Sequence, residues 1–131
     1  MPLVRISHVT GKPASFSAAV SRSVHDAMVE TFNVPADDFF QILTGHEPGR
    51  DLLAPASFLG IEHTKDVVFV QITCAEGRTL EQKRALYASI ARRISEVSNI
   101  KASDVVINLV ETKRENWSFG NGLAPFAPAV S

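Results

Sequence analysis

Apolar residues fall along this chain in two rhythms, one of short strand-like runs and one of four-residue steps, and the sequence passes through both rhythms twice. Residues 3–9 open the chain on an apolar run and read as a strand. After it Phe16, Val20, Val24, Met28 and Phe32 recur at four-residue steps with Ala27 beside them, which makes one apolar stripe of a helix. Residues 67–74 are almost wholly apolar and read as a strand in the middle of a sheet. Leu86, Ile90, Ile94 and Val97 form a second helical stripe, and Thr79 with Gln82 three residues later reads as a capping box at its start. Each helix leads into a further strand, residues 39–44 or 105–110. The entries are Val34-Pro35-Ala36-Asp37-Asp38 and Ile100-Lys101-Ala102-Ser103-Asp104.

The two passages also match residue by residue at an offset of 66, which pairs Gly11 with Gly77, Ala19 with Ala85, Ser23 with Ser89 and Glu30 with Glu96. Asn33 with Asn99, Ala36 with Ala102, Asp38 with Asp104 and Leu43 with Leu109 continue the series. A strand, a helix and a strand joined by short loops make a right-handed crossover with parallel strands. Two such units predict an α/β sandwich, a tandem βαβ repeat with a four-stranded sheet and two helices on one face. One domain spans residues 1–131, divided into a first unit (1–44), a Gly- and Pro-rich connector (45–66) that lies over the sheet edge, a second unit (67–115) and a C-terminal arm or hairpin (116–131). Helices on one face leave the other uncovered, so self-association is expected to bury it.

Composition removes several classes of function. Lys and Arg number 13 against 14 Asp and Glu, with no block of like charge, so neither a nucleic-acid footprint nor an anionic membrane surface is indicated. A lone cysteine, Cys74, and the lack of a signal-like or membrane-length apolar run give a cytoplasmic expectation. His8, His25, His46 and His63 show no metal-ligand spacing, so no metal and no cofactor is expected. Cys74, at the end of an apolar strand, reads as a buried small residue. Gly120 and Gly122 fit a tight turn and lack phosphate-loop spacing.

Pro2 is the residue with the most distinctive chemistry. Once Met1 is removed it becomes a terminal secondary amine on a fixed ring, a group that titrates near neutrality. Burial or neighbouring charge can set such a nitrogen as an acid, a base or a carbonyl-attacking nucleophile.

With Pro2-Leu3 at the start, Phe32-Asn33-Val34-Pro35-Ala36-Asp37-Asp38 leading to Phe40-Gln41, Gly77-Arg78-Thr79 before the second helix and Trp117-Ser118-Phe119-Gly120 near the end, the chain resembles the tautomerase superfamily. It looks most like the malonate semialdehyde decarboxylase branch. The resemblance implies a homotrimer with pockets near subunit boundaries, Pro2 as catalytic amine, and Arg78 as the arginine that holds a substrate carboxylate. It implies that Asp38 orients or activates water, although an aspartate before a strand also serves to bond local backbone. Asp37 reads as a solvated turn residue. Trp117 and Phe119 would wall the prolyl nitrogen, or pack the arm on a neighbouring subunit. The chain departs from the pattern in one place: where the branch has two arginines flanking one residue, Ala75-Glu76-Gly77-Arg78 supplies one arginine and an acid.

The expected activity is cofactor-free chemistry on a small oxo acid, decarboxylation of malonate semialdehyde with hydration as a side activity. Keto-enol tautomerisation of phenylpyruvate or a dienol acid is the enzymatic alternative. The same order of elements also occurs in ferredoxin-like ligand-binding or interaction modules, which need no prolyl amine.

Overall fold

The computed structural model describes residues 1–128, and its elements follow in the order β1 (Leu3–Val9), α1 (Phe16–Phe32), β2 (Gln41–His46), β3 (Ser57–Phe58), β4 (Ile61–Glu62), β5 (Val68–Ala75), α2 (Leu80–Val97) and β6 (Val105–Thr112). The main sheet has the order β2-β1-β5-β6, with β1 parallel to β2, β5 parallel to β6, and β1 antiparallel to β5 at the centre. Both parallel pairs keep the same register, Val4 opposite Gln41 and Val70 opposite Ile107, 37 positions apart in each unit. The repeat seen as scattered identities is therefore a structural duplication. In a ferredoxin-like module another strand splits each βαβ unit. Here β1 and β2 are direct neighbours, so the ferredoxin-like alternative is not this fold.

Alternate residues of the two central strands point at the helices: Val4 and Ile6 from β1, and Val68, Val70, Ile72 and Cys74 from β5, are at most 1% exposed. They meet Val20, Val24, Ala27 and Met28 of α1 and Leu86, Ile90 and Ile94 of α2 in one core. Val97, assigned by its spacing to the second stripe, is 53% exposed as the last residue of α2. Thr79 and Gln82 form the expected capping box.

The second face of the sheet is less apolar than the run 67–74 suggests. Arg5, Gln71 and Asn108 are exposed in neighbouring strands there, and the Gln71 amide donates to Asn108 at 3.3 Å. Half-buried Phe69 and Val106 adjoin them, and Leu52 of the connector packs on Val9 and Val67 at one end. The connector also forms the short antiparallel pair β3–β4, with Phe58, Leu59 and Ile61 exposed. The strand following α1 starts two residues later than expected, because Phe39 and Phe40 form an irregular lead-in between the turn and the strand, where the Phe40 carbonyl already accepts from Val4 N–H at 3.0 Å. A short 3₁₀ turn, Arg114–Asn116, leads into turns and bends up to residue 128, an arm rather than a hairpin, and residues 129–131 lie outside the described part. Among the described residues no helix is long and apolar enough to cross a membrane.

Candidate active site

Sheet register alone brings the candidate residues to one end of the molecule. β1 starts there, and its parallel pairing with β2 sets Asp38, three residues before Gln41, level with Met1. Antiparallel pairing of Leu3 with Thr73 carries the chain out of β5 through Ala75, Glu76, Gly77 and Arg78 at the same end. Parallel pairing of Ala75 with Thr112 delivers Lys113 and Arg114 beside them. A cleft of about 400 Å³ results, lined by Met1, Pro35, Asp38, Glu76, Arg78 and Arg114 among others.

The chain's amino-terminal nitrogen, on Met1, makes an ion pair with Asp38 Oδ2 at 2.8 Å. Pro2 is buried immediately behind it. The other Asp38 oxygen, Oδ1, is buried without a hydrogen-bond partner among the described residues. A half-buried carboxylate with an unused acceptor, aimed at an amine, can hold a cation and orient a water or a substrate hydroxyl. Asp37 is exposed, as expected of a turn residue.

Arg78 is held before it meets any ligand. Its Nη1 donates to the Ala75 carbonyl at 3.1 Å, its Nη2 to the Phe32 carbonyl at 3.4 Å, and its guanidinium lies 5.0 Å from the Phe32 ring centre. The Phe32 carbonyl belongs to the C-terminal turn of α1, which has no basic residue of its own, so the cation also sits at the negative end of that helix. Gln82 reaches the neighbouring Thr31 carbonyl. A guanidinium has five N–H donors, so donors remain over for a ligand, and a group fixed in this way has little rotamer freedom to lose on meeting one.

The arm closes the apolar side. Trp117 donates its indole N–H to Thr112 Oγ1 at 2.9 Å and stacks on Phe119 with the planes 7° apart. Phe119 in turn packs on Phe40 and Phe126. A recess of about 220 Å³ between Met1, Asp38, Phe40, Phe119 and Phe126 adjoins the amine. Phe119 thus lines the wall, whereas Trp117 backs it without lining either cavity. Sequence reasoning missed Arg114, Phe40 and Phe126. Phe40 was legible as part of the Phe40-Gln41 motif, but the fold-back that recruits Phe126 left no local signal.

The second unit presents the same scaffold at the opposite end without the chemistry. Lys12, at the repeat position of Arg78, pairs with Asp66 at 3.2 Å and borders a cleft of about 300 Å³. There β5 continues from the connector, so that end has no chain start and no amino-terminal nitrogen. Among the described residues no cluster of His, Cys, Asp and Glu could hold a metal.

Comparison with known proteins identifies the family. A family model described as "Tautomerase enzyme" matches residues 38–120, and a second with the same description matches residues 2–58. The "Probable tautomerase YusQ" of Bacillus subtilis (strain 168) is 39% identical over 124 residues, which cover 95% of this chain and 97% of the relative. FG41 malonate semialdehyde decarboxylase, in its structure inhibited by 3-bromopropiolate, superposes with a TM-score of 0.87 at 35% identity, over 93% of this chain and 92% of the other. A second malonate semialdehyde decarboxylase, whose wild-type, mutant and inactivated structures address decarboxylase and hydratase activities, gives 0.85 at 31% identity over 95% of both chains. With family matches over both units and a shared fold along nearly the whole length, the chain belongs to the tautomerase superfamily, in its malonate semialdehyde decarboxylase-like branch, and is an enzyme of that superfamily.

Proposed function

We propose that this enzyme decarboxylates malonate semialdehyde or a closely similar 3-oxo acid, with Pro2 as the amino-terminal amine after loss of Met1 and Arg78 as the carboxylate anchor. The observation that carries the reading is the placement of Asp38 at the chain start, where its carboxylate pairs at 2.8 Å with the nitrogen of Met1, one residue ahead of Pro2, in a cleft that also holds Arg78. In this reading the prolyl nitrogen acts as a cation, with the Asp38 carboxylate as its counter-charge. A cation polarises the substrate carbonyl and accepts, through that carbonyl, the electron pair released when the bond to the carboxylate breaks. Carbon dioxide leaves, the resulting enol takes a proton at carbon, and acetaldehyde is the product. The neutral amine could instead add to the carbonyl and lose water to form an iminium, which accepts the same electron pair and is hydrolysed after protonation. Asp38, with its free oxygen, would orient water for a hydratase side activity. The superfamily resemblance and the open sheet face, with half-buried Phe69 and Val106, support a homotrimer.

One observation favours a second reading. Three phenylalanines, Phe40, Phe119 and Phe126, line the recess beside the amine and suit an aryl group, as in tautomerisation of phenylpyruvate with Pro2 as a neutral proton shuttle. The deciding experiment gives malonate semialdehyde and phenylpyruvate in parallel to protein whose intact mass shows that Met1 is gone. Formation of acetaldehyde and carbon dioxide, abolished in Pro2→Ala, supports decarboxylation. Enol formation alone supports the tautomerase, and full activity with Met1 retained removes Pro2 from both.

A further inference from the structure

We infer that His25 is a positioning residue for this site: its imidazole holds the turn 35–38 so that the Asp38 carboxylate faces the chain's amino-terminal nitrogen. The inference rests on the proposed role of Asp38 and extends the site to a side chain buried behind it. His25 is 1% exposed on the inner face of α1. Its Nε2 lies 2.9 Å from the Ala36 carbonyl oxygen. A carbonyl can only accept, so Nε2 carries the proton and donates it. Nδ1 is buried without a partner among the described residues, so the ring has one polar engagement, with the turn that carries Asp38. The Phe39 ring lies 4.5 Å away, centre to centre, and the Arg22 guanidinium covers that ring at 5.6 Å, which fixes the plane of the imidazole.

The second unit supplies the control. Ala102, at the repeat position of Ala36, has its carbonyl taken by the backbone N–H of Val105, which closes a 3₁₀ turn. The position equivalent to His25 is Ala91. In the first unit the corresponding N–H, that of Phe39, bonds to Asp37 instead, and the Ala36 carbonyl turns towards the helix, where His25 meets it. Both turns otherwise share a bond, Asp38 N–H to the Pro35 carbonyl at 3.0 Å and Asp104 N–H to the Lys101 carbonyl at 2.9 Å. The histidine thus replaces one backbone hydrogen bond, and the turn it holds is the one whose aspartate is paired with the amine. In the closed turn of the second unit, the aspartate is engaged by the connector.

The test uses His25→Leu, which removes the donor at similar volume, and His25→Gln, whose amide can reach the same carbonyl. Crystal structures of the full chain without substrate should show the Asp38 carboxylate displaced from the amine in His25→Leu and returned in His25→Gln. With substrate, His25→Leu should lower kcat by about tenfold with little change in KM, His25→Gln should recover most of it, and His25→Leu should cost nothing further in an Asp38→Asn background. An unmoved Asp38, or a full additional loss in the double variant, overturns the inference. If wild-type protein turns over neither oxo acid, the functional proposal fails while the structures still decide the position of Asp38. If His25→Leu does not fold, His25→Gln and His25→Asn, which places its amide short of the carbonyl, make the same comparison.

Discussion

Asp38 and Asp104 stand at the same point of the two repeats and engage opposite kinds of partner. Asp38 takes the amino-terminal amine, whereas Asp104, 1% exposed, accepts the Thr64 N–H at 2.7 Å and the Thr64 hydroxyl at 2.5 Å. One carboxylate is turned to the cleft and the other ties the connector to the sheet.

This division predicts opposite phenotypes. Asp104→Ala leaves two donors of Thr64 unmet and should destabilise the fold by about 2 kcal/mol, with kcat preserved below the melting transition. Asp38→Asn should leave the urea midpoint nearly unchanged and lower kcat/KM by about a hundredfold. Equilibrium unfolding and steady-state kinetics on both variants check the pair.

Arg78 should act on binding. Arg78→Lys keeps the charge but loses the planar fork that reaches Ala75 and Phe32, so KM should rise about tenfold with kcat held within about twofold. A selective loss of kcat would show instead that Arg78 contacts charge developing in the transition state.

Phe119 sits between Trp117 and Phe40 beside the amine, and Phe119→Ala opens that recess. Under the decarboxylase reading the loss falls mainly on exclusion of water, so kcat for the oxo acid declines. A rise in KM confined to phenylpyruvate would favour the aryl-binding alternative.

Cys74 should resist alkylation. Burial pushes its thiol pKa above the ordinary value, outweighing the lowering effect of Arg78 nearby, so the thiolate is scarcer at any neutral pH than in the unfolded chain. Because a raised thiol pKa favours the protonated form, reaction with iodoacetamide should be slow at pH 7 and gain speed as pH rises, and denaturant should accelerate it at fixed pH.

Much of the architecture was legible because it rests on local periodicity. The stripe from Phe16 to Phe32 is buried as its spacing implies, and the Thr79–Gln82 box caps α2 where expected. Strand order needed long-range pairing, which periodicity does not encode, so the ferredoxin-like alternative fell only when β1 and β2 were found side by side. Pro2, Asp38 and Arg78 could be picked out because their flanking motifs are contiguous. Arg114 and Phe126 come from a turn and an arm brought to the cleft by β6, and His25, weighed in the sequence only for metal-ligand spacing, has as its partner a backbone carbonyl that leaves no motif.

Duplication copies side chains but cannot copy a chain start. A protein built from two fused units therefore inherits two frames for an amine and one amine, so a mechanism-based label should saturate at one equivalent per chain, however alike the two ends of the sheet become. At the end without a chain start the equivalent positions serve a structural purpose: Lys12 with Asp66, and Asp104 with Thr64, which match Arg78 and Asp38, fasten the loop that joins the units.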